Sequence, residues 1–138
     1  MTKSDFPSIT LHPDDRERLE ALAQASLERF PQTAGYLVRE IERARVSEAN
    51  GERASFVRMG SLVTFRDDTT GQVREVTLVY PDRADIAAGR ISVLTPIGAA
   101  LIGLSEGQTI HWQTPSGDWR PLTVLAVGAP EEAEHALA

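Results

Sequence analysis

Three observations predict an α+β chain: a 3.6-residue apolar period confined to the first third, a polar break over residues 47–55, and a two-residue period beyond it. They divide the chain into an N-terminal antiparallel two-helix hairpin, a short coiled coil, over residues 1–50, an antiparallel β-sheet domain with one short helix over residues 56–130, and an acidic tail over residues 131–138. With 138 residues, 41% of them hydrophobic and 25% charged, there is material for one ordinary core and none of the bias of a disordered chain.

The first helix is predicted from Pro13, where a missing N–H removes nothing, and Asp14, Asp15 and Glu17 suit the positive end of its dipole. Leu19, Leu22, Ala23, Leu27 and Phe30 form its apolar stripe, and Pro31 ends it. Thr33 is read as the N-cap of the second helix, with Leu37, Ile41 and Ala44 on its apolar face and Glu40, Glu42 and Arg43 on the solvated one. Each helix is expected to run about 16 residues, roughly 24 Å. The short connection makes the pair antiparallel.

Beyond the break, "SLVTFRD" and "VREVTLVYP" flank the turn residues "DDTTGQ" and read as a β-hairpin. "DRADIAAGR" allows a turn or so of helix, "ISVL" is strand-like, and "PIGAALIGL" is a compact apolar helix. "TIHWQTP" and "WRPLTVLAV" around "SGD" give a second hairpin, in which Trp112 and Trp119 are expected to face each other and staple the strands or anchor a partner.

The chemistry that composition excludes is broad. A net charge of -6 argues against a protein that neutralises nucleic-acid phosphates. The absence of cysteine removes disulfides, thiolate metal sites and thiol nucleophiles. No segment has signal-peptide or membrane-spanning character, so the expected location is the cytoplasm. His12, His111 and His135 lack metal-ligand spacing, and Asp67 with Asp68, like Asp82 with Asp85, reads as turn capping. Neither a metal nor a cofactor is expected.

The stretch "TPIGAALIGLSEGQ" over residues 95–108 invites comparison with a phosphate loop, but it contains no lysine, and Lys3 is the sole lysine of the chain. It fits a structural role better: Thr95 as N-cap, Pro96 at the first helical position, Gly98 for close approach to the sheet, and Gly103 and Gly107 in turns.

The run "ISVLTPIGAALIGLSEGQTIHWQTPSG", preceded by "DRADIAAGR" and "GSLVTFRDDTTGQVREVTLVYP", resembles the C-terminal domain of the bacterial Gre transcription factors. With its short helical hairpin the whole chain is similar to the shorter Rnk-type branch. The resemblance implies an FKBP-like fold, a half-wrapped antiparallel sheet with one short helix against it. It also implies RNA polymerase as the partner, bound as a monomer at the rim of the secondary channel, with no sequence-specific nucleic-acid contact and no membrane. Carried over, the docking corner is Leu94, Thr95 and Pro96, with Ile97 next to them. Leu94 stands where cleavage-active members have aspartate, and an exposed leucine there would bury about 1.5–3 kcal/mol of side chain in a partner. Gln108 replaces the aspartate of the family's Gly-Asp, a local turn substitution. Cleavage-stimulating members also carry an acidic pair at the hairpin tip to hold Mg²⁺. Here the tip residues Glu28, Phe30, Pro31, Gln32 and Thr33 include one carboxylate, so no catalytic residue and no transcript cleavage are expected. Two alternatives stay open: a peptidyl-prolyl isomerase, which the FKBP-like fold can house, and a non-enzymatic interaction module.

Overall fold

The computed structural model describes residues 7–47 and 56–130, which leaves residues 1–6, the break from residue 48 to 55, the acidic tail and His135 outside the described residues. The described chain runs β1 (Thr10–Leu11), α1 (Pro13–Ser26), α2 (Pro31–Arg43), β2 (Arg45–Val46), β3 (Ser61–Asp67), β4 (Val73–Val79), β5 (Arg90–Ser92), α3 (Pro96–Leu101), β6 (Thr109–Gln113) and β7 (Trp119–Pro130). Two single 3₁₀ turns, Pro81–Arg83 and Ile86–Ala88, fill the predicted turn segment.

The helical hairpin forms, with shifted boundaries. α1 has 14 residues and α2 13, shorter than the period suggested. Pro31 opens α2, so Phe30 stands at the N-cap position and Thr33 lies inside the first turn. The reason is that proline disfavours helical geometry at the residue before it and suits the first position of the next helix. The first helix has already ended at Ser26, leaving Leu27 and Phe30 off the apolar stripe, at 37% and 43% exposure. At the other end His12 caps α1, its Nδ1 accepting from the Asp14 N–H at 3.2 Å.

The hairpin does not stand free of the sheet. Leu19, Ala23, Leu37 and Ile41 are buried in the same apolar cluster as Val57, Met59, Phe65, Leu101 and Leu122. Polar contacts fasten the joint: buried Asp15 accepts from the Met59 N–H at 3.2 Å and from Arg58 Nε at 3.3 Å, and the Arg18 guanidinium lies 4.3 Å over the Tyr80 ring. Glu40, expected in solvent, is 5% exposed and is held by Arg43 through two bonds of 2.8 and 2.7 Å.

β1 and β2 form a small parallel pair that the periodicity did not announce. Ile9 and Leu11 are buried on either side of Thr10, whose N–H donates to the Gly103 carbonyl at 3.0 Å. Gly103 sits at φ 82°, and a Cβ there would meet the Ile9 side chain at 2.9 Å, so this crossing requires glycine.

The main sheet has the order β5-β4-β3-β7-β6. It is mixed, not antiparallel throughout, because β5 pairs parallel to β4 (Thr77↔Arg90, Leu78↔Ile91, Val79↔Ser92). The two 3₁₀ turns make the difference, carrying the chain back to the start of its neighbour. The β3–β4 hairpin and the β6–β7 hairpin form as predicted, and irregular register between β3 and β7 curls the sheet. Val63 and Phe65 point inward while Leu62 is 42% exposed, as the two-residue period requires. Trp112 and Trp119 are not partners: Trp112 pairs with Arg120 and Trp119 with Gln113, a one-residue offset from the expected staple. Among the described residues no helix is long and apolar enough to cross a membrane.

Candidate partner-docking site

The corner between β5 and α3 is built by one serine and one threonine. The Ser92 carbonyl accepts from the Thr95 N–H at 3.1 Å and from Thr95 Oγ1 at 2.7 Å. The same Oγ1 accepts from the Gly98 N–H at 3.0 Å, completing the N-cap predicted for Thr95. Ser92 Oγ takes the Leu94 N–H at 3.0 Å. Pro96 occupies the first helical position. A Cβ built on Gly98 would overlap the Ser92 carbonyl oxygen and stand 2.9 Å from Thr95 Oγ1, so the close approach read from sequence is real.

This network leaves Pro96 exposed and Leu94, Thr95 and Ile97 half-buried. Leu94 and Ile97 pack against the core. The leucine thus keeps part of its side chain at the surface, less than the exposed leucine expected from the sequence, and its backbone is held in place by the Ser92 and Thr95 network. Downstream, Gln108 Oε1 accepts from the Ser105 N–H at 2.9 Å and its Nε2 donates to the Ser8 carbonyl at 3.1 Å. Gln108 therefore serves the turn and ties it to the N-terminal segment.

At the hairpin turn Glu28, Phe30, Pro31 and Gln32 are exposed and Thr33 is half-buried. The Arg29 guanidinium lies 5.6 Å over the Phe30 ring. Among the described residues no group of three or more His, Asp or Glu side chains is placed to hold a metal ion. Asp67 Oδ1 caps its turn by accepting from the Thr69 N–H at 2.9 Å. Asp68 accepts from Thr123 Oγ1 and Arg66 Nε, both at 2.6 Å, and the Thr123 bond first of all holds its carboxyl below the usual range.

The two predicted groups, separate in sequence, meet in space. Pro31, Gln32 and Thr33 of the hairpin turn and Pro96 of the corner line one cleft of about 380 Å³, whose far wall is Trp112 and Trp119. Sequence reasoning missed this meeting. No local signal announces it, because the lining comes from segments far apart in the chain.

The description "Transcription elongation factor, GreA/GreB, C-term" matches residues 52–129, and "Rnk N-terminus" matches residues 7–46. A "Regulator of nucleoside diphosphate kinase" from Escherichia coli (strain K12) is 35% identical over 127 residues, covering 92% of this chain and 93% of the relative. A "Transcription elongation factor GreA" from Syntrophobacter fumaroxidans is 40% identical over 110 residues, covering 77% of this chain and 69% of the relative. Among solved structures, a "Prokaryotic transcription elongation factor GreA/GreB from Nitrosomonas europaea" superposes with a TM-score of 0.68 at 35% identity, covering 88% of this chain and 98% of that one.

Proposed function

The chain belongs to the GreA/GreB transcription elongation factor family, and from that premise we propose that it is a transcription regulator that binds RNA polymerase at the rim of the secondary channel, competes there with longer Gre-type factors, and does not stimulate transcript cleavage. The observation that carries the reading is the corner at residues 94–97, a surface knob locked by Ser92, Thr95 and Gly98. A preformed contact loses little conformational entropy on docking. Competition then needs only affinity and concentration, since whatever occupies the rim excludes its rival by mass action.

The absence of cleavage follows from chemistry at the hairpin turn. Holding Mg²⁺ and a water beside a polymerase metal takes more than one oxygen-rich side chain. Glu28 is the one carboxylate of residues 27–33. The packing of α1 and α2 against the sheet supports the same reading, because the turn lies beside α3 instead of at the end of a projecting finger.

Capture on immobilised core RNA polymerase tests the docking. Wild-type protein is expected to be retained, displaced by excess Gre factor, and retained several-fold less as Pro96→Ala. Equal retention of Pro96→Ala, or indifference to the Gre factor, moves the interface elsewhere. A backtracked complex incubated with the protein is expected to keep its full-length RNA. Shortened RNA refutes the assignment.

A further inference from the structure

The cleft bordered by α2, α3 and the β6–β7 hairpin takes only Pro96 from the docking corner, and its chemistry is one-sided. The Trp112 indole N–H and the Tyr36 hydroxyl, on two residues that line it, are buried without a hydrogen-bond partner among the described residues. Buried donors in folded proteins are almost always satisfied. Burial first, and the charge of Glu40 second, push the Tyr36 phenol above its ordinary range, so it remains protonated and able to donate. Arg39, on the same wall, takes part in no ion pair among the described residues. Among the described residues no aspartate or glutamate lines the cleft, and the nearby Glu40 is occupied by Arg43. In a chain of net charge -6 this is a surface lined, among the described residues, by a cation and no carboxylate.

Two unpartnered donors and an arginine outside any ion pair call for an occupant that brings acceptors and negative charge. An α-helix spends its carbonyls internally, whereas an extended chain presents them outward. Proline adds a carbonyl without an N–H, so it introduces no donor for this surface to satisfy. Its ring also suits flat walls such as Trp112 and Trp119, the pattern by which aromatic-lined grooves read polyproline segments. A polyphosphate fits poorly, because among the described residues Arg39 is the one cation lining the cleft.

We propose that the cleft is a second protein-interaction site, taking an extended, acidic, proline-containing segment of a partner protein whose carbonyls accept from Trp112 Nε1 and Tyr36 Oη and whose carboxylate pairs with Arg39. Side-chain rotation of the kind common at interfaces brings the two donors to the segment. The inference does not rest on polymerase docking, and its test does not involve polymerase.

Both tryptophans of the chain line the cleft, so intrinsic emission reports its occupancy. Random dodecapeptides displayed on phage are panned against the full chain, and the recovered sequences are titrated as blocked synthetic peptides. Recovered sequences are expected to be enriched in proline and in aspartate or glutamate and to change the emission saturably. Tyr36→Phe is expected to weaken them about three- to tenfold, one lost hydrogen bond. Arg39→Gln is expected to weaken them about tenfold and to abolish the preference for the acidic peptide over its amide analogue. Thermal melts confirm that both variants fold. Basic or sequence-random recovery, unmoved emission, or indifference to both substitutions overturns the proposal. So does emission that responds to protein concentration alone with a dimer in sedimentation, which would make a second copy the occupant, or to ATP at a site the peptide does not displace.

Discussion

Replacing Gly98 with alanine puts a methyl group where the Ser92 carbonyl oxygen already stands. In an open helix the change would be favourable by about 1 kcal/mol, because alanine loses less backbone entropy. Here the obstruction is backbone, with the Ser92 carbonyl carbon at 3.0 Å and Thr95 Oγ1 at 2.9 Å from the added atom, so no rotamer relieves it. Overpacking of this kind costs about 1–3 kcal/mol. Pushing Thr95 away also sacrifices its cap on the Gly98 N–H, about 1 kcal/mol more. The net loss is about 1–3 kcal/mol, which for a domain of this size is a fall in Tm of roughly 4–10 °C. Circular dichroism melts measure it, with Gly35→Ala as the internal control. Gly35 sits in the middle of α2 with its nearest new contact, an Arg39 guanidinium nitrogen, at 4.0 Å, so that variant is expected to melt higher. If Gly98→Ala melts at or above the wild-type temperature while Gly35→Ala is stabilised, the corner is not locked by the Ser92, Thr95 and Gly98 network.

Asp15→Ala strands the buried Met59 N–H at the joint of hairpin and sheet and is expected to cost about 1–3 kcal/mol in urea unfolding, with Asp15→Asn milder because its carbonyl oxygen still accepts. Asp68 has a depressed carboxyl pKa, so its stabilisation is complete above the unfolded aspartate range and is lost as pH falls through the folded value. Asp68→Asn is therefore expected to be less stable than wild type at pH 7, with the gap narrowing towards pH 2, as read by urea midpoints across that range. Thr95→Val keeps the shape of the corner but removes its cap, and thermal melts are expected to show a loss of about 1 kcal/mol.

The elements legible in the sequence were those whose signal is local. Pro13 and Pro96 mark the starts of α1 and α3 because proline suits the first helical position, whereas Pro31, read as the end of the first helix, opens α2. The span of β3 follows directly from the alternation around Val63 and Phe65. What was not legible depends on distant partners. The parallel pairing of β5 with β4, and of β1 with β2, carries no turn signature, since parallel neighbours are joined by a crossover. Glu40 reads as solvated until Arg43 folds over it. Of the site, the corner was visible in Thr95, Pro96 and Gly98, whereas the cleft combines residues 31–39, 96–100 and 112–119 and has no sequence signature at all.

The joint between hairpin and sheet bears on the proposed competition without cleavage. A projecting coiled coil needs a core of its own, and two helices of 14 and 13 residues bury too little against each other to stand alone. Here Leu19, Ala23, Leu37 and Ile41 solve that problem by sharing the core of the sheet domain. The solution fixes the turn beside α3, where it borders the cleft that also touches the corner. Lengthening the hairpin by whole heptads would carry the turn beyond this shared core, removing Pro31, Gln32 and Thr33 from the cleft while leaving residues 94–97 in place. Such a variant is expected to retain polymerase capture and lose the emission response to acidic peptides. Loss of both would mean that the corner and the cleft are one surface, and retention of both would mean that the turn has no part in the cleft.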